Sequence, residues 1–125
     1  MSSDANLPFR LELLHEITDV ADDNIDAVVH FENGESFGIT FFTRKNMATL
    51  LEKWKNSGEH LNGLYFWSID CIIVEKLEYS LLELVVADMS KYGTEVFERH
   101  FTRISKETYD ADGAIVPFET KSIEE

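Results

Sequence analysis

The chain has 125 residues, with 24 acids against 11 bases, a formal charge of −13, and 44% hydrophobic and 12% aromatic residues; that is one domain's worth of chain, too apolar to be disordered throughout. The charge argues against nucleic acid, whose phosphates need clustered Lys and Arg, and against anionic membrane surfaces. A lone cysteine, Cys71, excludes an internal disulfide framework, and with no membrane-length apolar run and no signal-peptide pattern in residues 1–6 a cytoplasmic location is expected.

After Pro8, the residues Phe9, Leu11 and Leu13 alternate with Arg10 and Glu12, which predicts a half-buried strand running to about Ile17. An acidic loop follows from Asp19 to Asn24. Ile25, Ala27, Val29 and Phe31 form a second alternating strand, and Phe37, Ile39 and Phe41 a third. A two-residue Asn33-Gly34 turn would set the third strand's apolar residues opposite Asp26, Val28 and His30. A three-residue loop, Glu32-Asn33-Gly34, instead pairs Val29 with Phe37, Ala27 with Ile39 and Ile25 with Phe41. The hydrophobic register decides for the longer loop, with Gly34 left-handed in a G1 bulge.

Thr43 is a good N-cap for a helix carrying Met47, Leu50, Leu51 and Trp54 at helical spacing and closed by Gly58. Glu59 to Gly63 reads as a loop. Leu64–Trp67 and Cys71–Val74 read as one long fourth strand, interrupted near Ser68–Asp70. Ser80 caps a second helix with Leu82, Val85, Val86 and Met89, ending at Gly93, and Thr94 caps a third with Phe97, Phe101 and Ile104. The order β-β-β-α-β-α-α implies a single α+β domain over residues 1–104. Its mixed, mostly antiparallel four-stranded sheet carries helices mainly on one face. Residues 105–125, six acids against two bases after Ser105, are expected to form a mobile tail.

No catalytic constellation stands out. The histidines, His15, His30, His60 and His100, have no ligand spacing, and where a zinc-protease motif starting at His15-Glu16 needs a second histidine the chain has Asp19. Cys71 precedes Ile72-Ile73-Val74, an apolar setting that makes it a core residue rather than a nucleophile. No Ser is flanked by the glycines of a nucleophile elbow, and no Gly-rich loop could cradle a phosphate. Asp110, Asp112, Gly113, Ile115 and Glu119 fit part of an EF-hand loop, but Thr108 holds its first ligand position and Pro117 intrudes. No metal and no cofactor are expected.

Charge and aromatics point to a partner instead. Residues 43–57 carry four bases against Glu52 alone, a local charge of +3, so the rest of the chain sums to −16. A small domain needs a net charge of only about 2–8 for solubility, and excess repels itself. Asp19, Asp22, Asp23 and Asp26 lie within eight residues and cannot all be buried, so they are expected at the surface as part of a partner site that tolerates charge reversal. Phe42 and Trp67 suggest that the second sheet face is partly apolar, a recognition or homodimer face. The expected function is that of a small acidic non-enzymatic binding protein docking on a basic protein, as immunity proteins of bacterial toxins and other macromolecular inhibitors do. The alternatives are an acidic secretion or assembly chaperone using an apolar sheet face, and an enzyme built on His30 or His100.

Overall fold

The structure, a computed structural model, describes residues 8–104. The expected tail from residue 105, including its EF-hand-like stretch, lies outside the described residues. Strands β1 (Phe9–Leu13), β2 (Asn24–Phe31) and β3 (Ser36–Thr43) lead into helix α1 (Arg44–Ser57) and a short turn, α2 (Glu59–Gly63). Strand β4 (Cys71–Val74) and helices α3 (Tyr79–Met89) and α4 (Glu95–His100) complete a single α+β domain. The sheet order is β1-β2-β3-β4, with β4 parallel to β3 and the other pairs antiparallel. No helix among the described residues is long and apolar enough to cross a membrane.

The hairpin has the register demanded by its hydrophobic pattern. Val29 pairs with Phe37, Ala27 with Ile39 and Ile25 with Phe41. The Gly34 N–H reaches Phe31 O at 3.0 Å, and Gly34 takes φ +94°, which a glycine occupies without Cβ strain. The odd-numbered residues of β1 to β3 thus share one face. They pack with Val74, Leu77, Leu82 and Val86 and with Phe97, which sits 5.5 Å from the Phe31 ring and 5.8 Å from that of Phe37. Helices α3 and α4 therefore cover this face. Helix α1 adds nothing to this core and meets the reverse face instead, through Phe42, Phe66 and Trp54.

Several boundaries differ from expectation. Strand β1 ends at Leu13 rather than near Ile17, after Leu14 N–H makes a last bond to Asp26 O. Helix α3 begins at Tyr79 with no side-chain cap, so Ser80 does not cap it, and it closes at Ser90 before Gly93. Helix α4 stops at His100, and Phe101 and Ile104 lie beyond it. The long fourth strand is not formed: Leu64–Trp67 are irregular and only Cys71–Val74 pair. The cause lies on β3. Its residues 36–38 already bond the chain exit, with Gly38 N–H on Thr102 O and Ile104 N–H on Ser36 O, both 2.8 Å. Any strand extended upstream of Cys71 would need that same edge. Asp70 marks the junction: its backbone is left-handed (φ 56°), its carbonyl accepts Thr40 N–H at 2.8 Å, and its carboxylate accepts Thr102 N–H at 2.9 Å.

Candidate functional site

The acidic loop comes together, but its carboxylates are engaged. Asp19 Oδ1 accepts the N–H groups of Ala21 and Asp22 at 3.0 and 3.2 Å, which folds the loop tip on itself. Asp22 reaches α1, accepting from Asn46 Nδ2 at 3.0 Å and Thr49 Oγ1 at 2.8 Å. Asp23 accepts from the Thr18 hydroxyl and the Asn24 N–H, both 2.8 Å, and Asp26 from the Thr40 hydroxyl at 2.9 Å. The hydrogen bonds from Asn46 and then Thr49 hold the Asp22 carboxyl below its ordinary value. Partial burial works to raise Asp23, yet the bonds from Thr18 and Asn24 outweigh it and its value is also lowered. Of these carboxylates only that of Asp22 ties the β1–β2 connection to α1, the others bonding within the connection or to β3; Asn46, which sequence reasoning passed over, is the buried partner in that tie, accepting also from Asn24 Nδ2 at 2.9 Å.

The other two expected residues part company. Phe42 is only 7% exposed, with the Phe66 ring edge-on at 5.0 Å. Trp67 is 71% exposed. It belongs to a longer apolar run: Leu61, Leu64 (80% exposed), Tyr65, Ile69 and, on β4 itself, Ile73 (52%) all face outward. One residue of the run turns in. Phe66 stacks with Trp54 at 5.9 Å, and Trp54 stacks on His60 at 3.9 Å and 15°.

The turn that feeds this run has left-handed backbone at His60, Leu61 and Asn62 (φ 52°, 53° and 59°), continued by Gly63 at φ 77°. Each such non-glycine residue costs of order 1 kcal/mol or more, so the surroundings must hold it. Two contacts do so: the Trp54–His60 stack, and the approach of Gly63 to α1, so close that a Cβ there would lie 2.1 Å from Leu51 O. Lysine and arginine are absent from residues 56–75, whereas Glu59, Asp70 and Glu75 are present.

The polar side of the sheet holds a second arrangement. His30 Nδ1 is 2.9 Å from Ser36 Oγ, and its Nε2 is 2.9 Å from Glu12 Oε1, so three neighbouring strands contribute an acid, an imidazole and a hydroxyl. The hairpin register, which pairs His30 with Ser36, was sufficient to find the His–Ser half of this line. Ser36, the first residue of β3, is buried and its carbonyl is taken by Ile104, so the line reads as cross-strand bonding of a half-buried histidine. At the hairpin's end, Arg103 at 2.7 Å, with Thr94 and Asn33, holds the Glu35 carboxyl below its ordinary value. Burial pushes the Cys71 thiol up, away from nucleophile chemistry. Among the described residues no group of three or more His, Cys, Asp or Glu side chains could hold a metal ion. The chain matches no family model, and comparisons with curated proteins and with solved structures return no match.

Proposed function

We propose that the protein is an acidic, non-enzymatic binding protein that docks on a basic protein partner, in the manner of immunity and inhibitor proteins, with the Leu61–Ile73 segment at the centre of the contact. The observation that carries this reading is the concentration of six exposed large apolar side chains, Leu61, Leu64, Tyr65, Trp67, Ile69 and Ile73, within one thirteen-residue segment. Exposed apolar clusters of this kind mark interaction surfaces, and aromatic anchors such as Trp and Tyr dominate binding energy. Charge sets the partner's sign: the segment 56–75 carries three acids and no base, within a chain of −13. Such a field steers a basic surface and raises its association rate. The acids at 19, 22, 23 and 26 contribute to that field, while their contacts make them loop supports first. An assembly chaperone would use an open sheet face, and Phe42, the reverse-face residue that suggested one, lies under Phe66.

The test places a photo-crosslinking residue at Tyr65 and captures partners from the source cells. A protein of high isoelectric point should be captured, with an on-rate that falls as salt rises. Trp67→Asp should abolish the capture, and Trp67→Ala should weaken affinity at least roughly 30-fold, as expected for an aromatic anchor worth about 2 kcal/mol. Capture only of acidic proteins, or of a basic one indifferent to Trp67, would overturn the proposal.

A further inference from the structure

We infer that the outer edge of β4 is a docking strand, to which an extended Lys- or Arg-bearing segment of the partner adds as a fifth strand of the sheet. This rests on the reading of the protein as a binder of a basic partner and names how that partner is held. In a parallel ladder the bonds from one strand are made by alternate residues. Because Thr40 N–H bonds Asp70 O, it is Ile72 and Val74 that face β3, and the N–H and C=O groups of Cys71 and Ile73 point away from it. No backbone bond outside the ladder takes those groups among the described residues, and β4 ends the sheet order.

Edge strands are ordinarily protected by being very short, by lysine or proline, or by a covering element, and β4, at four residues, has the first of these. From residue 56 to 75 the chain has no lysine, arginine or proline. What flanks the edge is apolar: Ile73 projects from the strand half exposed, and Trp67 and Ile69, both well exposed, lie on the segment leading into it. An incoming strand would gain main-chain bonds from the edge and side-chain contact with Ile73, the division of labour of strand addition.

The charges select the occupant. Asp70 and Glu75 bracket β4 at its two ends. A second copy is opposed by the repulsion between two chains of −13. A segment with basic residues five positions apart meets the same two carboxylates favourably. Glu75 already pairs with Arg44 at 3.1 Å, an exposed contact that a competing cation displaces at little cost.

The test uses the full chain and the capped peptide acetyl-Lys-Thr-Val-Val-Thr-Lys-amide, followed by amide NMR and hydrogen exchange. The peptide should bind with saturable shifts at Cys71 and Ile73 and slow exchange of their N–H groups. Methylating the peptide's backbone nitrogens, or changing both lysines to glutamate, should weaken binding at least tenfold. Ile73→Pro removes an outward N–H and spares the bonds to β3, and it should weaken binding equally; the methylated peptide gives the same information on the unaltered protein if that variant does not fold. Binding that survives methylation but is lost in Trp67→Asp overturns the strand-addition inference and leaves the basic-partner reading standing. So does failure of the peptide alongside capture of a basic protein at Tyr65. Concentration-dependent dimers that protect Cys71 and Ile73 also overturn it, because the occupant is then a second copy. Failure of both the peptide and the capture removes both readings.

Discussion

Gly34 and Gly63 both hold left-handed backbone, for different reasons. Around Gly34 a Cβ would meet nothing within 4 Å, so only the backbone conformation excludes other residues. Gly34→Val should therefore lower stability by somewhat more than about 1 kcal/mol, seen as a lower urea midpoint at unchanged slope. At Gly63 a Cβ would lie 2.1 Å from Leu51 O and 2.9 Å from Lys55 N, both backbone atoms of α1. Gly63→Ala should cost at least about 2 kcal/mol, more than the bulkier change at Gly34, because the left-handed turn must leave α1 or push it aside. Equal losses at the two positions would mean that the turn does not pack as closely as the structure has it. The need for Gly34 follows from strand parity alone. The need for Gly63 depends on a helix that passes over it, and no local pattern announces that.

At the scale of elements, α1 is an amphipathic helix with little of itself buried. Its cap is local and legible: Thr43 Oγ1 accepts Asn46 N–H at 3.0 Å, and Gly58 closes it with an N–H to Trp54 O. Its tether is not local. Asp22 reaches Asn46 and Thr49 across more than twenty residues of sequence, which only the folded β1–β2 connection allows. This reverses the expectation that the acidic loop tolerates charge reversal: Asp22→Lys with Asp23→Lys should destabilise the domain rather than relieve it. The pH dependence follows from the lowered carboxyls of Asp22 and Asp23. A carboxyl whose folded-state value is depressed contributes its full stability above the ordinary carboxylate range and loses it as pH falls through the folded-state value. The Asp22→Asn, Asp23→Asn double variant should thus be less stable than wild type at pH 7. The gap should close below about pH 4 in denaturation measured across pH. A gap that persists at pH 2 would mean that geometry, not ionisation, carries the tether.

The whole molecule must tolerate its own charge. With −13 spread over 125 residues, the compact state is opposed by self-repulsion that ions screen over about 10 Å at 0.1 M salt. The melting temperature should accordingly rise by a few degrees between about 10 and 200 mM sodium chloride. A flat response would show that local bonds such as those of Asp22 and of the Glu35–Arg103 pair at 2.7 Å already offset the repulsion.

What the sequence determined by itself was whatever depends on near neighbours: the three alternating strands, their register through the Glu32-Asn33-Gly34 loop, the limits of α1, and the sign of the molecule's field. These follow from periodicity, turn chemistry and charge, which are properties of short stretches and simple sums. Tertiary structure alone decided how long β4 is, because residues 102–104 occupy the part of the β3 edge that a longer strand would need. It alone decided that Phe42 is covered while Trp67 is not, because Phe66 turns inward onto Trp54 and Phe42 and leaves its neighbours outside. A consecutive aromatic run specifies that something apolar will be buried there. Which ring goes in is settled by the partners that the rest of the chain brings to it.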